Sequence, residues 1–265
     1  MKSILQNFQP ISLDEMSGVK LLNRTDTKFV TSLNQLRKLL SMAEHDYRVQ
    51  EINGQRIAHY YSTYFDTPTN DMYMRHQNGH QNRQKLRIRS YVDSHLNFLE
   101  VKTKNNHGRT KKKRIPIVQF DPLHPNYQLR FGTKNNPNAV AENDFLEHTL
   151  LYDLDSLTEK LENRFERVTL VNRNMTERLT IDTNLYLHNL ETDKEKSLDQ
   201  LVIIELKRDG LIPSPIIPLL RELRIMPIGF SKYTMGQALT NSNLKHNRLK
   251  PRIHQIEKLI GAQLL

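Results

Sequence analysis

A strict alternation of charged and apolar residues recurs along the chain and narrows its folding options more than any other feature. Successive side chains of an extended strand leave on opposite faces, so alternation of this kind sorts charge from apolar bulk. Lys85, Arg87 and Arg89 share one parity, while Leu86 and Ile88 take the other. Glu100, Lys102 and Lys104 alternate with Leu99 and Val101 in the same way. Arg178, Thr180 and Asp182 stand against Leu179 and Ile181, and Glu205 and Lys207 against Ile204 and Leu206. Arg24, Asp26 and Lys28 lie on one side of an expected first strand.

A strand with a solvated outer face alternates as well. Such strands usually mix Thr, Gln, Ser and both charges, whereas these segments repeatedly place Arg or Lys with an occasional carboxylate in one parity. Together they predict an α+β fold: a closed or nearly closed antiparallel β-barrel tunnel with a polar interior and helices packed outside.

Helices are expected between and around the strands. Ser32 reads as the N-cap of a helix over 33–43, where Leu36, Leu39 and Leu40 fall at helical spacing. Pro122, Pro125, Pro137 and several Asn predict an irregular insertion, followed by a short helix over 157–163. Two more helices are expected over 213–224 and 231–240. The tail from Lys245 is basic and then amphipathic, which suits a docking helix or a loosely attached end. The expected organisation is a leader over 1–20, a tunnel domain over 21–241 with its irregular insertion at 121–150, and a basic tail over 242–265. No internal repeat and no Walker loop are seen.

Charge supplies the partner class. The formal net charge is +10, from 39 Lys and Arg against 29 Asp and Glu, and such a surplus attracts polyanions: nucleic acid, anionic lipid or phosphate chains. Cysteine is absent, so neither a disulfide framework nor a thiolate metal site can form, and a reducing cytoplasm is allowed. The first residues never reach the apolar stretch of about 7–15 that a signal peptide needs. Nor do roughly 18 apolar residues run together anywhere. The expectation is a cytoplasmic chain that does not itself cross a membrane. The 11 His residues lack paired zinc spacing and read as surface or loop positions.

Gripping a phosphate chain takes many cations in a confined groove, with Arg able to hold two phosphate oxygens at once. The candidates are Arg24, Lys28, Arg87, Arg89, Lys102, Lys104, Arg173, Arg178, Lys207 and Lys232. Singly, each reads as a solvated or salt-bridged residue; as one inward-facing set they read as a binding groove. Phosphoryl transfer also calls for a divalent metal held by a few carboxylates. Glu205 is the first choice, then Glu100 and Asp182, each of which could instead be a structural partner of a neighbouring Arg.

The ordered series Arg24-x-x-x-Lys28, Tyr64-Phe65-Asp66-Thr67, Lys85-Leu86-Arg87-Ile88-Arg89-x-Tyr91, Leu99-Glu100-Val101-Lys102-x-Lys104, Asn172-Arg173, Arg178-Leu179-Thr180-Ile181-Asp182, Ile204-Glu205-Leu206-Lys207 and Ser231-Lys232-Tyr233 resembles the VTC domain. That is the polyphosphate polymerase domain of the vacuolar transporter chaperone family, within the triphosphate tunnel metalloenzyme (CYTH-like) superfamily. The resemblance runs from about residue 20 to about residue 240, and its specificity lies in the order of the motifs.

It implies a tunnel in which the γ-phosphate of ATP passes to a polyphosphate chain, with manganese or magnesium at the site. Lys28, Arg87, Arg89, Lys102, Arg173, Arg178 and Lys232 match the family's phosphate-gripping positions, and Glu205 its metal-binding glutamate. Ser231 lies at the phosphate-binding turn and is also a plausible N-cap, with Tyr233 beside it. Hydrolytic members of the superfamily begin Glu-x-Glu-x-Lys; here the frame reads Arg24-x-Asp26-x-Lys28, which tilts the expectation toward the polymerase branch while Asp26 keeps hydrolysis open. Family polymerases work beside membrane components, so a separate membrane partner is a hypothesis. The alternatives are a triphosphatase, a non-catalytic polyphosphate binder, and a nucleic-acid module built on the basic run 102–114, which is disfavoured because no aromatics interleave it.

Overall fold

The computed structural model describes residues 1–16, 18–19, 24–107, 109–117, 120, 131–132, 139–210 and 212–265, with Arg24 described by its backbone alone. The chain opens with α1 (Lys2–Leu5), β1 (Gln9–Ile11) and α2 (Leu13–Met16). Strand β2 (Arg24–Ser32) runs straight into α3 (Leu33–Ala43), where Ser32 Oγ accepts from the Gln35 amide at 3.4 Å and Leu36, Leu39 and Leu40 are buried. There follow β3 (Tyr47–Gln50), β4 (Ala58–Asp66), α4 (Asp71–Gln77), β5 (Arg83–Tyr91), β6 (Leu96–Lys104), β7 (Thr110–Ile117) and α5 (Val140–Glu147). The remainder is β8 (Thr158–Asn172), β9 (Glu177–Asn189), β10 (Lys194–Leu198), β11 (Leu201–Asp209), α6 (Ile216–Glu222), α7 (Lys232–Thr240) and α8 (Lys250–Ile260).

The strands form one sheet in the order β2-β11-β9-β8-β4-β5-β6-β7, antiparallel throughout, with β3 added beside β8, β10 beside β9, and β1 parallel to β3. The α+β antiparallel architecture with outer helices is as expected. Full closure is not: among the described residues no ladder joins β2 to β7, so the sheet ends on two edges.

The apolar parities build the cores. Phe29, Val168, Leu170, Leu179, Ile181, Ile204 and Leu206 pack beneath α3 and α6. Leu86, Ile88, Leu99 and Val101 pack with Phe131, Leu146 and Leu150. Burying each such side chain contributes roughly 1.5–3 kcal/mol, so these faces dictate which way the charged parity must point. A further cluster joins Leu161, Leu187 and Ile203 to α7 and α8 through Tyr233, Ile253 and Ile256. Gly236 permits that contact, because a Cβ there would overlap the methyl groups of Leu161.

Several expectations need correction. Residues 157–163 are not helical; 158–163 open the strand β8, paired with β4 on one side and β9 on the other. Both parities of β8 are polar, since Asn163 and Arg167 alternate with Lys160, Glu162, Arg164 and Glu166, so no period of two is visible. Of the insertion, 121–130 and 133–138 lie outside the described residues, while Val140–Glu147 is helix α5 with Leu146 buried. The basic run after Lys104 is largely strand β7, paired with β6. Of the two readings of the tail, the structure takes the docking helix, α8, packed through Ile253 and Ile256. His76 is no bare surface residue: its Nδ1 lies 2.8 Å from Thr234 Oγ1, and burial, reinforced by Lys85 and Arg83, lowers its pKa to about 2.

Candidate functional site

The charged parity of each strand faces one common side of the sheet, because residues directly opposite in a ladder share a face. On β2, β11 and β9 the rows are Asp26–Lys207–Arg178 and Lys28–Glu205–Thr180. The next row is Val30–Ile203–Asp182, which continues to Arg167 on β8. On the other wing the rows are Tyr64–Arg87–Glu100–Arg114 and Lys85–Lys102–Lys112. Beyond these lie Ser62–Arg89–Phe98 and Arg83–Lys104–Thr110.

The two wings face each other across a lumen. Lys102 on β6 feels the charges of Lys28 and Asp26 on β2 and of Glu205 on β11, strands at the opposite end of the hydrogen-bonded order. Lys85, Arg87 and Arg89 each keep part of their surface in contact with solvent, yet burial among protein atoms weighs most on their protonation. Groups that water reaches while protein surrounds them line an internal channel.

Helix α7 stands in one end of it. Ser231 caps the helix, its Oγ accepting from the Thr234 amide at 3.2 Å, and Lys85 Nζ donates to the same Oγ at 2.6 Å. Lys28 Nζ donates to the Phe230 carbonyl at 2.9 Å. Lys232 is ion-paired with Asp182, whose carboxylate is also held by Arg167 through bonds of 2.6 and 2.8 Å. Behind them Tyr233 stacks on Tyr64 at 5.1 Å and donates to Asp66 Oδ2 at 2.6 Å.

The field inside is strongly positive. Burial, with Lys28, Lys102, Arg83 and Arg87 nearby, pushes Lys85 well below the usual lysine range. Burial also lowers Lys102, with Lys28 adding to it, and lowers Lys207 against the pull of Glu205. Lys232 is pushed down to about 8 by burial, although Asp182 opposes this. Burial would raise the carboxylates, yet Lys28, Lys207, Arg167 and Lys102 hold Glu205 down at about 2, and Arg87, Arg89 and Lys112 hold Glu100 at about 2. Even the buried Tyr64 phenol lies below its ordinary value, drawn down by Arg87 and Arg89. Cations crowded to this degree are relieved by an anion entering among them.

Of the candidates named from sequence, Lys28, Arg87, Arg89, Lys102, Arg178, Lys207, Lys232, Ser231, Glu100, Asp182 and Glu205 meet on this face. Lys104 lies one row further along β6 and is half-buried, while Lys102 itself is exposed to solvent. Tyr233 is turned into the apolar cluster behind Lys232. Arg173 stands apart: it is exposed beyond the end of β8, bonded to the His45 carbonyl and, at 3.3 Å, to Gln9 Oε1. The side chain of Arg24 lies outside the described residues.

Sequence reasoning missed Arg167, hidden in the polar β8, and left Lys85 without a role although its parity already placed it beside Arg87. It also missed Lys112 and Arg114, whose spacing of two within the basic run was the available signal. Among the described residues no group of three or more His, Cys, Asp or Glu is arranged to hold a metal. Asp182 and Glu100 have protein cations on both oxygens, Glu100 receiving Arg87 at 2.6 and 2.9 Å and Lys112 at 2.8 Å. Among the described residues Glu205 makes one ion pair, to Lys207 at 3.3 Å, and it lies one row from Asp26. A lone carboxylate suits a magnesium-like ion that takes its remaining ligands from phosphates and water.

A family model described as the VTC domain matches residues 23–241. No curated protein matches the chain at a significant level. Among solved structures, a candidate adenylyl cyclase from Hippeastrum, described as revealing a dominant triphosphatase activity, is similar at a TM-score of 0.48 and 16% identity, over 83% of this chain and 98% of that one. A candidate adenylate cyclase from Bacillus halodurans is similar at 0.46 and 14%, over 79% and 96%. Another from Vibrio parahaemolyticus is similar at 0.42 and 10%, over 81% and 97%. At such values the likeness carries no functional argument.

Proposed function

The chain belongs to the VTC domain family, and on that premise we propose that its lumen binds a triphosphate or polyphosphate chain and transfers the γ-phosphate of ATP onto polyphosphate. One observation carries the reading: Lys28, Lys85, Arg87, Arg89, Lys102, Lys207 and Lys232, drawn from separate strands and a helix, surround one solvent-reached space, and burial with neighbouring cations disfavours the charge of Lys85, Arg89, Lys102, Lys207 and Lys232 there. Buried polar atoms on the same face add support, since Ser62 Oγ, both side-chain polar atoms of Asn163 and Arg89 Nε have no hydrogen-bond partner among the described residues.

Phosphoryl transfer asks for alignment of two phosphates and neutralisation of the charge between them, with little covalent work from the protein. The Arg87–Arg89 wing and the Lys28–Lys207 wing would hold donor and acceptor from opposite sides. Lys85, tied to Ser231 at the α7 N-terminus, would meet the innermost phosphate, where helix amides also favour an anion. The acceptor oxygen is already ionised at neutral pH, so no general base is required. Glu205 would hold the divalent ion, manganese or magnesium, which supplies further neutralisation of phosphate charge when bound.

Asp26 favours a second reading, triphosphate hydrolysis, because it puts another carboxylate one row from Glu205. Incubation with ATP and manganese or magnesium separates the two. Long polyphosphate is the expected product; orthophosphate or pyrophosphate alone would move the assignment to hydrolysis. No helix among the described residues is long and apolar enough to cross a membrane. A cytoplasmic site beside a separate membrane component rests on the family resemblance.

A further inference from the structure

We infer that the end of the lumen opposite α7 is a nucleobase-stacking platform built from Tyr60, Tyr91 and Phe98 with Arg114, so that a nucleoside triphosphate enters phosphates first and leaves its base at this rim. The inference rests on the triphosphate reading above and adds the part of the ligand which that reading leaves without a site.

The axis follows from strand direction. Alternating directions put the starts of β2, β9, β4 and β6 and the ends of β11, β8, β5 and β7 at one end of the sheet. α7 contacts the other end, through Tyr64, Leu161 and Leu187. Travelling inward along β5, the inward-facing residues read Tyr91, Arg89, Arg87, Lys85. At about 3.4 Å per residue along β5, the cations begin about 7 Å from Tyr91 and continue to about 20 Å. A flat ring followed by a string of cations is the order of chemistry in a base, a sugar and three phosphates.

The aromatic group crosses several strands: Tyr60 and Tyr91 share a row, and Phe98 lies in the next one, opposite Arg89. Tyr91 packs against Tyr60 at 5.0 Å and edge-on against Phe98 at 5.8 Å, and Tyr60 stacks on the buried Phe165 at 5.1 Å. Guanidinium groups join it: Arg114 lies 4.3 Å from the Phe98 ring centre, and Arg89 5.6 Å from that of Tyr60. Tyr60, Tyr91 and Phe98 keep part of their surface in solvent, unlike the fully buried Phe65 and Tyr73, and Arg114 is exposed. Solvent-reached aromatics interleaved with arginines at the entrance of a cationic groove are what base stacking uses.

The test compares ATP with inorganic tripolyphosphate on the full chain by calorimetry, in the parent and in Tyr91→Leu and Phe98→Leu. Stacking is worth about 1–3 kcal/mol per base, so each variant should bind ATP about tenfold more weakly and tripolyphosphate within about twofold of the parent. GTP should track ATP, since every base offers a ring face. Equal losses for ATP and tripolyphosphate, or no loss for ATP, would overturn the platform and leave the triphosphate reading intact. A parent protein that binds neither ligand would remove both.

Discussion

Arg167 grips Asp182 with a two-point contact, Nε to Oδ1 at 2.6 Å and Nη2 to Oδ2 at 2.8 Å, on the side where Lys232 reaches the same carboxylate. One buried anion thus holds two cations of the lumen. Replacing it by Asp182→Asn keeps the shape and strands both positive charges. Breaking a buried pair of this kind costs about 3–5 kcal/mol. Urea unfolding should register a loss on the order of 3 kcal/mol, and added tripolyphosphate should restore more stability to the variant than it adds to the parent, because the ligand then serves as the missing counter-ion. Equal ligand stabilisation in both proteins would place Asp182 and its partners outside the binding space.

Among the described residues Glu205 has one ion-pair partner, Lys207 at 3.3 Å, whereas Glu100 and Asp182 are held on both oxygens. Glu205→Gln is expected to abolish metal-dependent turnover while retaining binding of the phosphate chain, which removal of an anion can only favour. Product formation and tripolyphosphate affinity, measured on one preparation, decide the matter. Parallel loss of both would count against a metal-holding role.

Lys232 sets a pH dependence. Its pKa is lowered to about 8 by burial against the attraction of Asp182, and a bound phosphate would raise it. Below about 8 the ammonium is charged with or without ligand, so affinity is complete. Above that, binding must first recruit a proton, and affinity falls by up to about tenfold per pH unit until the ligand-bound pKa is passed. Tripolyphosphate affinity at constant ionic strength should therefore decline as pH rises through about 8. Lys232→Arg should flatten that decline, because a guanidinium stays charged throughout. Identical slopes in the two proteins would assign the titration to other groups.

Arg173 and Lys102 provide a contrast of position. Arg173 is bonded to the His45 carbonyl away from the lumen, whereas Lys102 feels Lys28, Glu205, Arg87 and Asp26 at once. Lys102→Ala should weaken tripolyphosphate binding by roughly tenfold or more, the worth of a charge-assisted hydrogen bond. Arg173→Ala should change it by less than about twofold. A large loss from Arg173→Ala would mean that the bound chain extends past the end of β8.

Legibility in the sequence followed the contrast between the two faces of each strand. Leu86 and Ile88 against Lys85, Arg87 and Arg89 announce both a strand and an inward set, and Ile204 and Leu206 do the same for Glu205 and Lys207. Where that contrast fails the reading fails too: β8 places Asn163 and Arg167 on one face and Glu162, Arg164 and Glu166 on the other, so strand and lumen arginine were both lost. The basic run hid β7 for the same reason, its Lys111 and Lys113 alternating with Lys112 and Arg114.

Local patterning settled the α+β class, the Ser32 and Ser231 caps and the parity of most lumen cations, because side-chain direction along a strand or at a helix start depends on neighbours a few residues away. Which cations share a space was decided only by the fold, since Lys102 meets Lys28 and Glu205 across strands remote in sequence. The same long-range geometry sent Arg173 outward, paired Glu100 and Asp182 with arginines, and kept Glu205 comparatively unengaged. Charges act through distance and burial in three dimensions, and neither quantity is written in the spacing of residues along the chain.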